Sequence, residues 1–472
     1  MGTVTQTAAA AALPPLRTWR EHGLATLKLG LPLAGAQLTQ MIIYTTDTVM
    51  IGWLGARELA ASVLGAQALF VVLMFGSGFA MAIMPLVAQA MGAGEVRAAR
   101  RAARMGLWIA TIYSLALMLP LWNMGAILVA LGQEPELAQM AQGYTRVLQW
   151  SLIPALYILV LRSFLSAVEH TRIVLIATIT AAIFNAVLNY ALIFGNFGAP
   201  KLDLVGAAIA SVLSNLLALA ILISYARVSE AVARFEVFVR LWRADWPAFF
   251  EVLQLGWPIS LTVIAEVGLF AASSVMIGWI GTIELAAHGI ALQLASLAFM
   301  IPLGLSAAAT VRVGQARGQG DPANLHRAAV SVLVIALGIA FFSAALFVLL
   351  PAPLISLFLD EANPDAANVL AFAIPLLAVA AAFQLVDSTQ AVSAGLLRGI
   401  KDTRIPMFIA VFGYWCIGLS AGYLLAFGLD LGAVGIWTGL AIGLAVVAVM
   451  LTWRFFLGVS GNTTGSGIAA EA

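Results

Sequence analysis

The sequence predicts an all-α polytopic membrane protein with twelve transmembrane helices, arranged as two six-helix lobes. Three observations carry this prediction. Of the 472 residues, 62% are hydrophobic and only 10% are charged, whereas about 25% of the residues of a typical soluble domain are charged. Apolar runs of about 20 residues, long enough to cross a bilayer, recur along the chain. The chain also repeats part of its own sequence. A soluble protein of this composition would expose large apolar patches to water, which a membrane protein does not.

The apolar runs give twelve candidate spans, separated by segments rich in polar and turn-forming residues. Two such separators are GAGEVRAARRAAR after the second span and DEANPDAAN after the ninth. The predicted spans are residues 29–53, 60–90, 105–131, 146–167, 173–195, 204–226, 252–280, 285–311, 328–358, 368–396, 406–428 and 432–457.

The spans divide the chain into two lobes with tails and a linker. The N-terminal tail lacks a basic region before its alanine run and is interrupted by Pro14 and Pro15, so it does not resemble a cleaved signal peptide. The basic linker has the spacing of an amphipathic helix lying on the inner membrane surface. The predicted segments are a tail at 1–24, the N-terminal lobe at 25–226, the linker at 227–247, the C-terminal lobe at 248–457 and a polar cytoplasmic tail at 458–472.

An internal repeat relates the two lobes at an offset of 226 residues. Of the thirteen residues that begin at Val49, ten are identical to those that begin at Val275. Because each half has an even number of spans, both halves begin on the same side of the membrane. The repeat is therefore parallel, with its axis along the membrane normal. Further repeated positions are the glutamine pairs Gln67 with Gln293 and Gln89 with Gln315.

The basic residues predict the orientation of the chain. There are 23 Lys and Arg residues, and only Arg57, Arg146 and Lys201 fall on the side reached after odd-numbered spans. Basic residues accumulate on the cytoplasmic side of membrane proteins. Both termini are therefore expected in the cytoplasm.

The composition also excludes several functions. A net charge of +1 gives no indication of nucleic-acid binding. The single cysteine, Cys416, excludes a disulfide framework and a multi-cysteine metal site. No glycine-rich phosphate loop with a lysine is present, so the sequence gives no sign that ATP drives the protein. We expect no cofactor and no catalytic residues.

Three carboxylates lie well inside predicted spans: Asp47, Glu266 and Asp387. An ionised carboxylate at the middle of a membrane costs about 2.5–3.5 kcal/mol on insertion scales, so such residues usually mark ion or proton pathways. A proton, Na⁺ and a cationic organic molecule can all compete for one such negative charge. The three acids are therefore the candidate coupling residues.

Helical spacing places polar residues on the faces that carry these acids. In the first span, Asp47 continues a stripe that begins at Gln37. Glu266 shares its face with Ser273, the repeat equivalent of Asp47. Asn185 and Asn189 lie one turn apart in the fifth span. The candidate cavity-lining residues are Gln37, Gln40, Tyr44, Gln67, Gln293 and Gln384. The alternative for these neutral residues is that they hold helices together as buried polar groups.

One basic residue, Arg162, is a candidate structural partner of the acids. It lies near the inner end of the fourth span. Long basic side chains in such positions often extend to the membrane surface, and we expect Arg162 to do so.

Four stretches carry a resemblance to a known family. They are TDTVMIGWLGARELAA, FNAVLNYALIFGNFGAPKLDLVGAAIAS, LGWPISLTVIAEVGLFA and FQLVDSTQAVSAGLLRGIKDTR. From about residue 24 to 457, the sequence resembles the multidrug and toxic compound extrusion (MATE) family, in its bacterial NorM-like branch. The resemblance implies an exporter, not an enzyme, in which an entering cation drives organic and often cationic compounds out of the cell.

The resemblance also implies residue roles. Asp47 matches the acid of the first helix, and Asn185 and Asn189 match the asparagines of the fifth helix, in an N-terminal lobe site. Glu266 and Asp387 match the acids of a C-terminal lobe site. Na⁺ is a candidate ligand at Glu266, Asp387 or Asp47. Some relatives have a tyrosine where this chain has Phe383, which removes one oxygen from the C-terminal lobe site.

Together these observations predict a secondary active multidrug efflux antiporter in the bacterial inner membrane. It would exchange small organic substrates for Na⁺ or H⁺ by alternating access, and we expect a monomer. The alternative is a flippase for a lipid-linked or polar precursor, of which a strongly cationic central cavity would be typical. An intramembrane aspartyl protease is a third class, but its glycine-framed motifs do not surround these acids.

Overall fold

The computed structural model describes residues 18–359 and 364–465, with side chains described as far as residue 458. These residues form twelve long helices. The helices are α1 Trp19–Gly52, α2 Ala56–Gly92, α3 Val96–Trp122, α4 Pro135–Ala167, α5 Thr171–Phe194, α6 Asp203–Val228, α7 Trp246–Gly278, α8 Thr282–Gln319, α9 Pro322–Leu349, α10 Ala366–Gly399, α11 Arg404–Gly428 and α12 Gly432–Gly465.

Eleven of the described helices, α2 to α12, are long and apolar enough to cross a membrane. The remaining helix, α1, has 34 residues, which is longer than a bilayer requires. It is less apolar because the polar stripe from Gln37 to Asp47 occupies one of its faces. The predicted all-α, twelve-helix fold is confirmed.

Several helix boundaries differ from the predicted spans. The span expected at 105–131 breaks at Asn123, and a short helix, Met124–Ala130, continues from there. Pro120 lies in the last turn of α3, where it lacks an N–H donor and its ring disturbs the preceding turn, which weakens the end of the helix. The expected polar tail at 458–472 is in part helical, because α12 continues to Gly465. Residues 466–472 and the expected tail up to residue 17 lie outside the described residues.

The expectation of an amphipathic helix in the linker is wrong. Only one turn, Glu230–Ala233, is helical, and positive φ angles at Glu236 and Arg240 interrupt the backbone. The linker carbonyls bind α3 side chains instead of forming a helical ladder. Trp108 Nε1 donates to the Leu241 carbonyl oxygen at 2.6 Å. Similar bonds run from Arg100 to Phe235 and from Arg104 to Glu236 and Val237.

The ends of corresponding helices reproduce the sequence repeat. α1 ends at Gly52 and α7 ends at Gly278, while α2 begins at Ala56 and α8 begins at Thr282. Both pairs differ by the offset of 226 seen in the sequence. A proline also interrupts the hydrogen-bond ladder at equivalent places, at Pro32 in α1 and Pro258 in α7.

Each lobe has its own hydrophobic core, and α7 contributes to both. Residues in its first half, such as Val252 and Ile259, pack into the N-terminal lobe core. Residues in its second half, such as Leu269 and Ile277, pack into the C-terminal lobe core. The lobes are therefore joined along one half of the bundle. We call the end that holds Trp19, Gly92, Trp246 and Gln319 the closed end.

Glycines at repeat-equivalent positions allow the lobes to approach closely. A Cβ atom at Gly78 in α2 would overlap the Ser260 backbone, and one at Gly304 in α8 would overlap the Ala34 backbone. Gly304 is the repeat equivalent of Gly78, and Ser260 is the repeat equivalent of Ala34. Each contact is therefore the counterpart of the other, and the interface has approximate twofold symmetry. The same relation holds for Gly92 against Gln315 and Gly318 against Gln89.

Two glutamines add hydrogen bonds to this symmetric interface. Gln89 Nε2 donates to the Gly399 carbonyl at 2.7 Å, and Gln315 Nε2 donates to the Ala167 carbonyl at 3.2 Å. Gly399 and Ala167 are the last residues of α10 and α4, so each glutamine binds an unpaired helix-terminal carbonyl of the opposite lobe. We call Gln89 and Gln315 the gate glutamines. Among the described residues, every inter-lobe hydrogen bond lies between the middle of the helices and the closed end.

Candidate functional site

The N-terminal lobe holds Asp47 against three polar side chains. Asn189 Nδ2 donates to Asp47 Oδ1 at 2.5 Å, and Ser211 Oγ donates to Asp47 Oδ2 at 3.2 Å. Asn189 Nδ2 also contacts Asn185 Oδ1 at 3.2 Å. Helices α1, α5 and α6 therefore meet at one carboxylate, and the structure brings together the three residues predicted for this lobe. We call Asp47, Asn185, Asn189 and Ser211 the N-lobe site.

The N-lobe site borders an accessible space inside the lobe. Asp47 is only half-buried although protein surrounds it on most sides. Tyr44 shows the same combination, with 47% of its surface exposed although protein surrounds it. A group that is both enclosed and accessible lines a concavity. Gln40, one turn from Tyr44 on the same face, is half-buried.

Arg162 lies against the other end of the same stripe. Its Nη1 donates to Gln37 Oε1 at 2.7 Å, so the side chain crosses from α4 to α1 inside the lobe. The expectation that Arg162 extends to the membrane surface is wrong. The carboxamide of Gln37 provides a hydrogen-bond acceptor within the lobe, which a lone basic side chain in hydrocarbon would lack.

The C-terminal lobe collects Glu266, Asp387, Tyr414 and Arg398. Asp387 and Tyr414 are 3% and 0% exposed, and Glu266 is half-buried. Glu266 interacts electrostatically with Arg398, while Asp387 and Tyr414 both interact with Glu266. Charges from α7 and α10 and a phenol from α11 therefore face one another. We call these four residues the C-lobe site.

Several oxygens of this region have no hydrogen-bond donor among the described residues. They are Asp387 Oδ1, Tyr414 Oη and the nearby Gln390 Oε1. A buried polar group without a partner costs about 1–3 kcal/mol, so such atoms are normally paired. Carboxylate, carboxamide and phenol oxygens are the ligands that hard cations prefer. The donor set therefore fits a proton or a monovalent cation.

Aromatic residues surround the C-lobe site. Phe383, which stands where some relatives have tyrosine, is 2% exposed and packs edge-on against Phe270 and Trp437, with ring centroids 6.1 and 5.5 Å apart. Trp415 Nε1 donates to the Ala265 carbonyl at 3.1 Å, which holds α7 next to Glu266. Tyr414 and Trp415 lie in a π-helical segment of α11, Phe412–Leu419, and such segments often occur at functional sites.

The expectation that Gln384 lines a cavity is wrong. The residue is 1% exposed, and its Nε2 donates to the Ala295 carbonyl of α8 at 2.7 Å. Gln384 therefore joins two helices. Gln67 is exposed and Gln293 is half-buried, both in the halves of α2 and α8 away from the closed end. Their predicted contact with a cavity stays a prediction.

Ser211, Tyr414 and Arg398 were missed by reasoning from the sequence. A serine in an apolar helix gives no signal, because serine is common at helix contacts. Arg398 lies three turns after Asp387, on the same face. This spacing is the sequence signal that could have identified it.

A match to a known protein family agrees with this two-lobe architecture. A family model described as MatE matches the chain twice, over residues 32–191 and 258–424. The two matches begin at Pro32 and Pro258, which are equivalent positions of the internal repeat. The family model therefore finds the same two lobes that the helix boundaries define.

Relatives and solved structures agree with this match. The chain is 51% identical over 439 residues to "Probable multidrug resistance protein NorM" of Rhizobium meliloti (strain 1021), covering 93% of this chain and 94% of that one. It is 40% identical over 460 residues to "Multidrug resistance protein NorM" of Burkholderia vietnamiensis, covering 97% of each chain. A solved structure, "Outward-facing conformation of a multidrug resistance MATE family transporter of the MOP superfamily", superposes with a TM-score of 0.84 at 19% identity, covering 94% of this chain and 97% of that one. The chain therefore belongs to the MatE family of membrane transporters.

Proposed function

We propose that this multidrug transporter is a secondary active antiporter, in which Na⁺ or H⁺ entering the cell drives organic and often cationic compounds out. The observation that carries the proposal is the presence of carboxylates that are enclosed by protein yet incompletely neutralised. Glu266 makes no direct hydrogen bond or ion pair with any other described residue, although Arg398 is near. Such a charge can bind a cation or a proton and release it again.

The two lobes supply separate carboxylate sites. In the N-lobe site, Asp47 already accepts hydrogen bonds from Asn189 and Ser211, so its charge is partly compensated by neutral donors. In the C-lobe site, the two acids interact with each other, and Arg398 interacts with Glu266, so one negative charge is in excess when both are ionised. One monovalent cation or one proton would balance that excess. We propose that coupling uses this balance, with Glu266 and Asp387 as the principal ligands.

The closed end supports alternating access as the mechanism. The positive-inside bias predicts that this end faces the cytoplasm, so the structure would represent a state whose accessible side faces outward. The lobes would then separate at the gate glutamines to expose the sites to the cytoplasm. A solved relative of the same fold has been described as outward-facing. Labelling of Thr48→Cys by an impermeant maleimide from outside the cell, in a Cys416→Ala background, tests this orientation.

Dye efflux from loaded proteoliposomes, driven separately by a Na⁺ gradient and by a pH gradient, tests the function. We expect one of the two gradients to drive efflux in the wild type. We expect Glu266→Gln and Asp387→Asn to abolish the gradient-driven component, and Asp47→Asn to impair it. A matched control is Asp203→Asn, because Asp203 is an exposed acid paired with Lys201 at the start of α6, and exposed pairs contribute little.

Gradient-driven efflux at the wild-type rate from all three single neutral variants would contradict the proposal. The flippase alternative predicts a different phenotype. Deletion of the gene would then impair growth without added drug, whereas deletion of an exporter would cause hypersensitivity to drugs and dyes.

A further inference from the structure

Arg162 differs in its partners from several arginines near the membrane surface. Arg100, Arg101 and Arg454 each form an ion pair with a carboxylate. For the guanidinium of Arg162, the one hydrogen bond among the described residues is to the neutral carboxamide of Gln37. Buried charges are normally paired because desolvation is costly. An unpaired intramembrane arginine is therefore a candidate functional group.

Arg162 lies beside the polar stripe of α1 that carries Asp47, because its partner Gln37 belongs to that stripe. The side chain is half-buried, as are Gln37 and Asp47. Its partner Gln37 lies ten residues before Asp47 on the same face of α1. At 1.5 Å per residue, the two ends of this stripe are about 15 Å apart along the helix axis.

Helix packing does not require this arginine. Counted back from the matching helix ends, Ala167 in α4 and Gly399 in α10, the position that corresponds to Arg162 is Ala394. The equivalent helix of the C-terminal lobe therefore packs with a methyl group at this place. An arginine at this position is particular to the N-terminal lobe, in which Asp47 is the acid that lies well inside a span.

We propose that Arg162 binds the carboxylate of zwitterionic substrates, while their cationic end lies toward Asp47. The inference rests on the proposed drug-export function and names a substrate class for the N-terminal lobe. A guanidinium presents its donors as a planar fork that matches a carboxylate. Gln37 accepts from Nη1 and fixes the plane of the fork, which leaves donors on Nε and Nη2 for the ligand. The subsite selects amphoteric molecules with an amine at one end and a carboxylate at the other.

A matched pair of compounds tests the subsite. The probes are a zwitterionic fluoroquinolone and its ethyl ester, which keeps the ring and the amine but lacks the anionic carboxylate. Hydrogen bonds to charged groups contribute about 1.5–3 kcal/mol, which corresponds to about 10- to 150-fold in affinity. Arg162→Gln should therefore raise the KM for the acid at least about tenfold and leave the KM for the ester nearly unchanged.

Three further variants make the result specific. Arg162→Lys keeps the charge and should recover part of the affinity for the acid. Gln37→Leu keeps the guanidinium of Arg162 but removes the hydrogen bond that orients it. The loss of affinity should be smaller than in Arg162→Gln and again confined to the acid. Arg146→Gln is the control, because Arg146 lies over Trp122 and binds its carbonyl rather than the α1 stripe, and both KM values should stay the same.

Equal loss of both compounds in Arg162→Gln would show a structural role and overturn the inference. An unchanged ratio of acid to ester KM would also overturn it. A wild type that responds to neither ion gradient would contradict the antiport proposal alone. In that case, the affinities of the purified wild type and of Arg162→Gln for the acid and the ester are measured in detergent. A lower preference for the acid in Arg162→Gln supports the carboxylate subsite, and an unchanged preference overturns it.

Discussion

Replacement of a gate glutamine by leucine should open the closed end of the transporter. Each gate glutamine donates one hydrogen bond to the final carbonyl of a helix in the opposite lobe. Leucine preserves the approximate side-chain volume but cannot donate. The carbonyl of Gly399 or Ala167 then loses its partner whenever the lobes are together, and recovers water when they separate. The variants therefore destabilise the state seen in the structure relative to the state open at the other end.

The structure predicts different magnitudes for the two variants. Gln315 is 6% exposed, so the carbonyl that it leaves stays dry, and the cost is about 1–3 kcal/mol. This corresponds to a shift of about 5- to 150-fold in the ratio of closed to open molecules. Gln89 is half-buried, so water can replace it, and the expected cost is about 0.5–1.5 kcal/mol. Gln315→Leu should therefore have the larger effect.

Distance measurement between spin labels in proteoliposomes reads this equilibrium directly. Labels at Ala93→Cys and Ala323→Cys, both exposed at the closed end of opposite lobes, report the separation of the lobes in a Cys416→Ala background. The long-distance population should be small without substitutions at the gate, larger in Gln89→Leu and largest in Gln315→Leu. Gln67→Leu is the control, because it places the same substitution on α2 away from the gate. Identical distance distributions in Gln315→Leu and the Gln67→Leu control would refute the gate assignment.

Two other predictions follow from the described contacts. A valine at Gly78 would overlap the Ser260 backbone. The overpacking costs about 1–3 kcal/mol, so Gly78→Val should also increase the long-distance population. Gly338→Val is the control, because a side chain there meets open space, and it should leave that population unchanged. At the start of α7, the hydrogen bond from Arg101 holds the pKa of Asp245 below its ordinary value of 3.8, so the stabilisation is complete above that value and is lost as the pH falls through the lower folded-state pKa. Hydrogen exchange of the first turn of α7 should accelerate in that acid range. Asp245→Asn should show faster exchange at all pH values and no such pH step. A pH step that survives in Asp245→Asn would contradict this account.

The fold could be predicted from the sequence because its signals are local. Each span is long and apolar, and the repeat that begins at Val49 and Val275 fixes the correspondence between the lobes. The linker was mispredicted because its carbonyls bind Arg100, Arg104 and Trp108 of α3, which are distant in sequence. A spacing pattern reports one helix at a time and cannot include such partners.

The candidate sites also contain residues that the sequence identifies and residues that it does not. Intramembrane acids are conspicuous, so Asp47, Glu266 and Asp387 could be named from sequence, and the structure places other polar residues near each of them. Gln384 and Arg162 could not be placed correctly, because the direction of a side chain depends on the neighbouring helices. Tyr414 was missed because a tyrosine in an apolar helix is as common in packing as in ligand binding.

The central claim is that the coupling cation and the substrate compete for the intramembrane carboxylates. Purified protein in weakly buffered detergent solution, mixed with a permanently cationic dye, measures this competition through the protons released or the radioactive Na⁺ displaced per dye bound. The account predicts stoichiometric release or displacement by the wild type, and none by a variant with Asp47→Asn, Glu266→Gln and Asp387→Asn combined. Undiminished release by that triple variant would contradict it.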